Sequence, residues 1–303
     1  MVVSSADVNL PAPFLKNLRD IHDDADVWLK ALPETLTRLE TTWQICVTGV
    51  VPRLSYNLVT YAERTDGTRC ILKLSPPNDE IVLEGDALRL YGGDGICRLL
   101  ERDDSVSALL LERVTPGVSL QELWTPERDE AHTRASAELL RRLWRRVAEP
   151  HSFRPLRSWA RALWNDAGAE ISARQQAQAR KLLELLSTAY PVLLHADVHH
   201  GNVLTSDAAG EPYRAIDPKG IVGPPGYDVG SFLLNPVQAN ADELAALLPK
   251  RLEIFRETLG LSRDELVKWG FVHAVLSACW TLEDHGGGHE RALGVARNLE
   301  GYL

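Results

Sequence analysis

The stretch that decides how this chain folds is an HxDxxxxN pattern, His195-Ala196-Asp197-Val198-His199-His200-Gly201-Asn202. Apolar residues 191–194 precede it and residues 203–204 follow, which places the polar octapeptide in a loop at the end of a buried strand. A second predicted strand, residues 213–216 (YRAI), ends directly in Asp217. Acidic side chains are therefore predicted at the ends of two adjacent strands.

These acidic residues and Asn202 have the composition of a phosphoryl-transfer centre. In kinase chemistry one carboxylate accepts the proton of the attacking hydroxyl, while an amide and a second carboxylate hold magnesium against nucleotide phosphates. Asp197, Asn202 and Asp217 have those side chains in that order. Two neighbouring carboxylates repel each other unless cations compensate, which magnesium would do. Taken alone, the octapeptide also fits a polar turn that bonds backbone amides.

The composition is that of an ordinary globular protein. Its 303 residues, 45% hydrophobic and 25% charged, suffice for one large domain or two modest ones. A net charge of −9 argues against a nucleic-acid surface, and it indicates either solubility or a cationic substrate drawn to an acidic cleft. No segment reaches the run of about 18 apolar residues that spans a membrane. We expect no nucleic-acid, membrane or protein partner.

The cysteines and the amino terminus bear on the cellular location. Cys46, Cys70, Cys97 and Cys279 include no CxxC pair, so neither a disulfide framework nor a zinc knuckle is predicted. The amino terminus lacks the basic segment and the apolar run of a secretion signal. A cytoplasmic location is the expectation.

Residues 1–112 are predicted to form a helical segment and then an antiparallel sheet crossed by one helix. Helical spacing through Leu32 gives way near Trp43 to β-rich runs, and residues 65–68 (TDGT) are a hairpin turn. The predicted strands are residues 43–51, 55–63, 69–75, 97–101 and 106–112. The predicted helix is residues 79–90, capped by Asn78.

Residues 113–303 are predicted to form a second, mainly helical part, which begins near the turn at residues 115–117 (TPG). The predicted helices are residues 126–147, 155–166, 169–188, 242–259, 263–283 and 289–302. Residues 190–217, which contain the octapeptide, are predicted to be short strands and turns.

A bound nucleotide needs a counter-charge in the first part, and Lys73 is the candidate. A lysine among the apolar residues of the run 70–74 (CILKL) is unusual. Glu84 on the following helix is the expected ion-pair partner, and Glu80 is the competing one. Alternatively, Lys73 faces outward from an alternating strand.

Several positions together carry a resemblance to a known family. In chain order they are Lys73, Glu84, Glu112-Arg113, His195, Asp197, Asn202 and Asp217. This order resembles the aminoglycoside phosphotransferase superfamily, small-molecule relatives of the protein kinases. Residues 215–220 (AIDPKG), Gly223, Tyr227-Asp228 and residues 233–236 (LLNP) are similar to the streptomycin 6-phosphotransferase and hydroxyurea kinase branch.

The resemblance implies an α+β, bilobal, protein-kinase-like fold, with a small antiparallel-sheet lobe, a larger helical lobe and ATP between them. By the family pattern Asp197 would be the catalytic base, and Asn202 and Asp217 would bind magnesium. His195 and Asp228 would support the catalytic loop, Asp228 through backbone amides. A simple helix cap before residues 229–231 is the alternative for Asp228.

The same pattern implies the nucleotide contacts. Lys73 would contact the α- and β-phosphates with Glu84 as its salt-bridge partner. Adenine would hydrogen-bond the backbone around Glu112 and Val114. Residues 49–55 (GVVPRLS) stand in place of GxGxxG, so Ser55 and neighbouring amides are predicted to hold phosphates.

Other departures from the protein-kinase pattern concern regulation. Ala196 replaces the arginine that reads an activation-loop phosphate, and Pro218-Lys219 replace Phe-Gly. No Ala-Pro-Glu segment follows. These departures favour a kinase of small molecules over a protein kinase.

The acceptor is expected to meet Asp197 from the helical part. Trp280, Glu283 and Asp284 have helical spacing that places them on one face. An aromatic ring beside two carboxylates can hold a guanidinium or ammonium group. The alternative is a core tryptophan near a solvated helix end.

The predicted activity is ATP- and magnesium-dependent phosphorylation of a hydroxyl on a small, cationic molecule. The resemblance implies streptomycin-like aminoglycosides first and hydroxyurea second. A metallohydrolase would instead use His195, Asp197, His199 and His200 as metal ligands. A pseudokinase that only binds nucleotide is the other alternative.

Overall fold

The structure, a computed structural model, describes residues 10–52, 54–167, 170–188 and 190–303, apart from the His285 side chain. The chain divides into two compact units. The first extends to Gly93 and includes Cys97–Arg113, and the second comprises Asp94–Ile96 and Val114–Leu303. Within the described ranges, no helix combines the length and the apolar character needed to cross a bilayer.

The first unit is built on a five-stranded antiparallel sheet with the order β1-β2-β3-β5-β4. The strands are β1 (Ile45–Val50), β2 (Leu58–Arg64), β3 (Arg69–Leu74), β4 (Leu99–Asp103) and β5 (Ala108–Glu112). The helices are α1 (Ala12–Ile21), α2 (Ala25–Trp43) and α3 (Asp79–Tyr91).

The central strand β3 separates the two faces of this sheet. Leu72 and Leu74 belong to a buried core with Leu18 of α1 and Leu36 of α2. Because side chains alternate along a strand, Lys73 lies on the opposite face, the one that α3 covers. A charged residue in an apolar run is thereby directed away from the main core.

Helix α3 begins and packs as its sequence dictates. The predicted cap is confirmed, since Asn78 Oδ1 accepts the N–H groups of Glu80 and Ile81 at 2.9 and 3.1 Å. At Gly85 the helix lies so close to the sheet that an added Cβ would be 3.0 Å from the Arg102 side chain. Glycine therefore permits the close approach of α3.

Some boundaries in the first unit differ from the predictions. Trp43 ends α2, and β1 begins only at Ile45. Asp103 accepts the N–H of Ser105 at 3.0 Å and starts a 3-10 turn, so β5 begins later than residue 106. Local side-chain bonds to the backbone compete here with the strand.

The second unit is mainly helical and contains two small sheets, with strand orders β10-β9-β6 and β7-β11-β8. Its strands are β6 (Pro116–Ser119), β7 (Arg154–Pro155), β8 (Val192–Leu194), β9 (Val203–Ala208), β10 (Glu211–Ala215) and β11 (Ile221–Gly223). Its helices are α4 (Leu120–Leu123), α5 (Asp129–Leu143), α6 (Leu156–Trp159), α7 (Ala173–Leu186), α8 (Val229–Leu233), α9 (Ala241–Leu259), α10 (Arg263–His285) and α11 (Glu290–Glu300). These helices and mainly antiparallel strands are those of the predicted α+β class.

Several predicted helices of this unit are shorter than expected. Helix α5 occupies only part of residues 126–147, and residues 155–166 divide into α6 and a 3-10 helix, Ala160–Trp164. The helix predicted from Ala169 begins at Ala173, and Ala169 itself lies outside the described residues. Two residues of the turn predicted at 115–117, Pro116 and Gly117, belong to β6, whose pairing with β9 is a long-range contact without a local signal.

Candidate active site

The octapeptide, residues 195–202 and hereafter the catalytic loop, runs between β8 and β9. Ala196 has a left-handed backbone with φ of 65°, which costs a non-glycine residue about 1–2 kcal/mol. Asp228 stabilises this turn, because Ala196 N–H donates to its Oδ1 at 2.6 Å and His195 N–H donates to its Oδ2 at 3.2 Å. The backbone from which Asp197 projects is thereby fixed.

Asp228 itself is buried at the end of a 3-10 helix, Pro225–Asp228. Trp144 Nε1–H donates to its Oδ2 at 2.9 Å, so a side chain joins the two backbone amides. Burial raises the pKa of Asp228 to about 7, against the lowering effect of these hydrogen bonds. Asp228 makes no side-chain cap bond to α8, so its contacts fit the bracing role better than the helix-cap alternative.

Asp197 is partly exposed, with 27% of its side chain open to solvent, and both of its carboxylate oxygens are oriented by neighbours. Ser231 Oγ–H donates to Oδ1 at 3.0 Å, and Asn202 Nδ2–H donates to Oδ2 at 3.2 Å. Asn202 also donates to the Asp197 carbonyl at 3.0 Å. The carboxylate is thus held in one orientation while it stays accessible to an acceptor.

Asn202 and Asp217 are brought together by the pairing of β9 with β10, since Val203 lies opposite Ala215. Ile216 N–H donates to the Asn202 carbonyl at 3.0 Å. Because the Asn202 amide nitrogen bonds Asp197, its Oδ1 is left as the oxygen donor. An amide oxygen and a carboxylate are ligands of the type that magnesium prefers, so this donor set fits that ion.

Lys219 and Ser231 are site residues that the sequence predictions missed. Lys219 Nζ lies 2.8 Å from Asp217 Oδ2 and 3.8 Å from Asp197 Oδ2. A local signal for Lys219 existed, because it is a cationic residue only two positions after Asp217. Ser231 comes to Asp197 from α8, 34 residues away, and has no local signal.

The buried ring of His195 links the catalytic loop to the strand that ends before Asp217. Its Nε2–H donates to the Ile216 carbonyl at 2.9 Å, while Nδ1 accepts the Asp197 N–H at 3.3 Å. Burial lowers the pKa of His195 to about 4. The ring is therefore neutral at neutral pH and acts through hydrogen bonds.

The alternative metal set of His195, Asp197, His199 and His200 does not converge on one point. Both ring nitrogens of His195 already bond backbone groups. His200 is buried and stacks on Phe232 with ring centroids 4.2 Å apart. Within the described part of the chain, no three His, Cys, Asp or Glu side chains are grouped to hold a metal ion. The geometry therefore gives the metallohydrolase hypothesis no support.

In the first unit Lys73 pairs with Glu84. Nζ lies 2.6 Å from Glu84 Oε2, and the two side chains are only 7% and 6% exposed. Glu80, the competing candidate, is exposed on the same helix. The outward-facing alternative for Lys73 is therefore wrong, and a charge is buried beside its counter-charge.

The predicted phosphate loop is shorter than residues 49–55. Gly49 belongs to β1, and Arg53 lies outside the described residues. Ser55 is exposed before β2, and its carbonyl accepts a hydrogen bond from Asn17 Nδ2 at 3.4 Å. No contact of the Ser55 hydroxyl bears on its predicted role, which stays a prediction.

Glu112 and Val114 lie at and just after the end of β5. The Glu112 N–H donates to the Arg98 carbonyl at 2.8 Å, and the Glu112 carboxylate accepts the Arg98 N–H at 3.1 Å. Val114 is buried. The predicted role of Glu112 and Val114 in binding adenine stays a prediction.

Trp280, the predicted aromatic residue of the acceptor site, is half-buried on α10. It packs edge-to-face on Trp159, with ring centroids 5.1 Å apart, and against His273 at 6.0 Å. The charge of Asp197 acts on His273, although burial dominates and lowers the pKa of that ring to about 4. Sequence reasoning missed Trp159, which comes from a distant helix.

Glu283 and Asp284 follow Trp280 on α10, and both side chains are exposed. Asn165 Nδ2–H donates to Glu283 Oε1 at 2.6 Å, a contact that orients this carboxylate. Trp280 and Glu283 thus lie about one turn apart on α10, and Trp159 packs on Trp280 from α6.

Comparison with known proteins identifies the family. Residues 42–285 match the family model described as aminoglycoside/hydroxyurea antibiotic resistance kinase. A streptomycin 6-kinase of Streptomyces glaucescens is 30% identical over 97% of this chain and 98% of that protein. A hydroxyurea phosphotransferase of Kitasatospora aureofaciens is 34% identical over 85% of this chain and 75% of that protein.

The fold likeness extends to solved structures. An amicoumacin kinase in complex with AMP-PNP, Ca²⁺ and Ami aligns with a TM-score of 0.60 and 15% identity, over 92% of this chain and 95% of that one. At this identity the likeness shows only the fold, which is the protein-kinase-like fold that the sequence predicted. The sequence matches go further: this chain belongs to the aminoglycoside/hydroxyurea antibiotic resistance kinase family and is a phosphotransferase with a hydroxyl group as acceptor.

Proposed function

We propose that this chain transfers the γ-phosphoryl group of ATP to a hydroxyl of an aminoglycoside, with the 6-hydroxyl of streptomycin as the first candidate. The observation that carries the proposal is Asp197, an oriented and accessible carboxylate beside Asn202 and Asp217. The match to a streptomycin 6-kinase along nearly the whole of both chains supports the acceptor. Inactivation of streptomycin, and hence resistance, would follow.

Asp197 would act as the base of a direct in-line transfer. Ser231 and Asn202 hold its carboxylate, and the acceptor hydroxyl would donate its proton to it as the new oxygen–phosphorus bond forms. Asp228 and His195 would keep the catalytic loop in its left-handed turn throughout. Their part is to position Asp197, since both side chains are buried and bond the backbone of the loop.

Asn202 and Asp217 would hold magnesium, for which their oxygen atoms are suitable donors. When bound, magnesium supplies positive charge that offsets the charge on the phosphate oxygens. Asp217 itself has a left-handed backbone, with φ of 65°. A strained residue of this kind is often retained at a functional site.

ATP would be bound by the residues predicted from the sequence. Lys73, oriented by Glu84, would contact the α- and β-phosphates, Ser55 would contact phosphate oxygens, and the backbone of Glu112 and Val114 would meet adenine. The AMP-PNP complex of the similarly folded amicoumacin kinase supports the use of an adenine nucleotide. Dependence on ATP makes the cytoplasm the proposed location.

Trp280, Glu283 and Asp284 would bind the positively charged part of the acceptor. The half-buried aromatic pair of Trp159 and Trp280 offers a ring face or edge next to the Glu283 carboxylate. Such a combination suits a guanidinium group, which streptomycin carries. Hydroxyurea is the second candidate, favoured by the 34% identical hydroxyurea phosphotransferase.

An ADP-release assay across aminoglycosides, hydroxyurea and metabolite alcohols tests the proposal. We expect streptomycin to give the largest kcat/KM and NMR of the product to place the phosphate on the 6-hydroxyl. Release of ADP with hydroxyurea but not with streptomycin would transfer the assignment to the second candidate. Phosphorylation of neither compound would contradict the proposed acceptor class.

The acceptor site has its own test. Glu283→Ala and Asp284→Ala should each raise the KM for streptomycin about tenfold, as expected for loss of roughly 1.4 kcal/mol of binding, while the KM for ATP stays constant. Asp264→Ala is the matched control, an exposed acidic residue at the start of the same helix. Unchanged streptomycin kinetics in both variants would contradict this site.

A further inference from the structure

Lys219 places an ammonium group between the two carboxylates of the site. Its Nζ lies 2.8 Å from Asp217 Oδ2 and 3.8 Å from Asp197 Oδ2. Its side chain is 20% exposed, so it is not fully buried. One lysine thus reaches both the proposed base and a proposed magnesium ligand.

The backbone keeps Lys219 in this position. Its N–H donates to the His195 carbonyl at 2.9 Å, which ties it directly to the catalytic loop. On either side, Asp217 and Gly220 have left-handed backbones with φ of 65° and 61°. These turns return the chain toward the loop, and the ammonium group lies within 3.8 Å of both carboxylates.

Charge balance indicates what this ammonium group does during the reaction. Asp197 and Asp217 carry two negative charges, and Lys219 is a cation in contact range of both. A divalent cation held by Asp217 would compete with the ammonium group for that carboxylate, since like charges repel at these distances. Lys219 would then be directed toward other anions within its reach, and the phosphoryl group beside Asp197 is the nearest one that the reaction provides.

We propose that Lys219 is a catalytic residue that contacts the oxygens of the phosphoryl group in transfer, and this rests on the proposed kinase function. The acceptor oxygen forms its bond to phosphorus, the bond from phosphorus to the ADP oxygen breaks, and Asp197 takes the hydroxyl proton. Lys219 keeps all its protons and stabilises the charge on the transferring group. Without nucleotide and metal it offsets the repulsion between Asp197 and Asp217.

Lys219→Met, Lys219→Arg and a control, Lys268→Met, test the proposal. Lys268 is a matched control because it also pairs with an aspartate, at 2.6 Å, and its side chain is 22% exposed. We expect Lys219→Met to lower kcat about 10²- to 10³-fold, the effect typical of removing one preorganised donor to developing charge. The KM for ATP should change less than about threefold, Lys219→Arg should recover part of kcat, and Lys268→Met should match the wild type.

A measurement of metal binding separates catalysis from structural support. Electron paramagnetic resonance of Mn²⁺ with the protein–ADP complex should show that Lys219→Met binds Mn²⁺ at least as tightly as the wild type, because a competing cation is gone. A kcat within about threefold of the wild type would overturn the proposal. A loss of Mn²⁺ affinity parallel to the loss of kcat would also overturn it.

The outcome is independent of the acceptor's identity. An assay of ATP hydrolysis, with water as acceptor, compares the same variants without streptomycin, and the Mn²⁺ measurement needs only ADP. Failure of streptomycin as a substrate would therefore leave the Lys219 comparison intact. Equal hydrolysis rates in the wild type and Lys219→Met would overturn the role of Lys219 alone.

Discussion

The two units of the molecule each contain a lysine paired with a carboxylate, and the two pairs are built in opposite ways. Lys73 and Glu84 come from a strand and a helix, lie 2.6 Å apart and are at most 7% exposed. Lys219 and Asp217 come from one loop, lie 2.8 Å apart and are 20% and 29% exposed. Regular elements bury the first pair, whereas backbone hydrogen bonds and a left-handed residue hold the second.

This difference teaches what each pair is suited to do. Removing one partner of a buried ion pair leaves an uncompensated charge in the interior, which lowers the free energy of unfolding by about 3–5 kcal/mol. A partly exposed ion pair contributes only about 0–1 kcal/mol to stability. Either of its members can therefore leave the other and contact a ligand at little cost. The pair of the first unit is suited to fixed positioning, and the pair of the second to chemistry in which partners change.

The largest effect on activity is expected at Asp197, whose carboxylate lies beside the Lys219–Asp217 pair. Asp197→Ala should lower kcat by about 10³-fold or more, equivalent to roughly 4 kcal/mol of barrier, because no group is left to accept the hydroxyl proton. Affinity for ATP should stay close to that of the wild type. Steady-state kinetics with streptomycin and calorimetry with ATP measure the two quantities.

Asp264→Ala again provides an exposed acidic control. Turnover of Asp197→Ala within about tenfold of the wild type, roughly 1.4 kcal/mol, would remove Asp197 from its assigned role. The reaction could then no longer be assigned to the second unit with the first unit's ion pair serving only for positioning.

The next largest effect should be on stability and should distinguish the two pairs. Lys73→Met should lower the free energy of unfolding by about 3 kcal/mol, since Glu84 is left buried without its counter-charge. Lys219→Met should lower it by less than about 1 kcal/mol. Urea unfolding of both variants measures the difference.

The double variant Lys73→Met with Glu84→Met is the control, because it removes both charges. It should recover most of the lost stability but not the affinity for ATP. Equal destabilisation by Lys73→Met and Lys219→Met would show that burial does not distinguish the pairs.

The smallest effect concerns pH and the support of the catalytic loop. The pKa of Asp228 is raised from 3.8 to about 7, so between these values the folded protein holds a proton that the unfolded chain has released. The resulting stability is fully present below pH 3.8 and is lost as the pH rises through about 7. Relative to Asp228→Asn, the wild type should lose at least about 1 kcal/mol between pH 5 and pH 8.

Urea unfolding of both proteins at the two pH values measures this relative change. Asparagine does not titrate, so the other ionisable groups cancel in the comparison. A difference between wild type and Asp228→Asn that is the same at pH 5 and pH 8 would mean that Asp228 does not hold a proton in the folded state. The three hydrogen bonds to it would then outweigh its burial.

The two units also differ in how well their elements and contacts could be predicted from the sequence. The strand with Lys73 and the capped helix with Glu84 were predictable because side-chain periodicity and capping are local. From the sequence, either Glu80 or Glu84 could be the partner of Lys73. The packing of α3 against the sheet places Glu84 beside that lysine. The strand β6 was not predicted, since its pairing with β9 depends on residues nearly ninety positions apart.

In the second unit the sequence predicted the identities of the site residues better than their contacts. The spacing of Asp197, Asn202 and Asp217 predicted a common site, and the pairing of β9 with β10 brings them together. Ser231 and Trp159 reach the site from distant segments. Neither has a local signal, because such contacts exist only once helices have packed.

By itself the sequence determined the order of strands and helices in outline, the catalytic-loop motif and the kind of chemistry its side chains allow. Only the tertiary structure decided that Glu84 pairs with Lys73, that Asp228 holds the left-handed turn at Ala196, and that Lys219 reaches both carboxylates. The physical reason is the separation along the sequence of the residues that interact. Periodicity, capping and charge act between residues close in sequence, whereas burial and hydrogen bonds between distant segments depend on the packed fold.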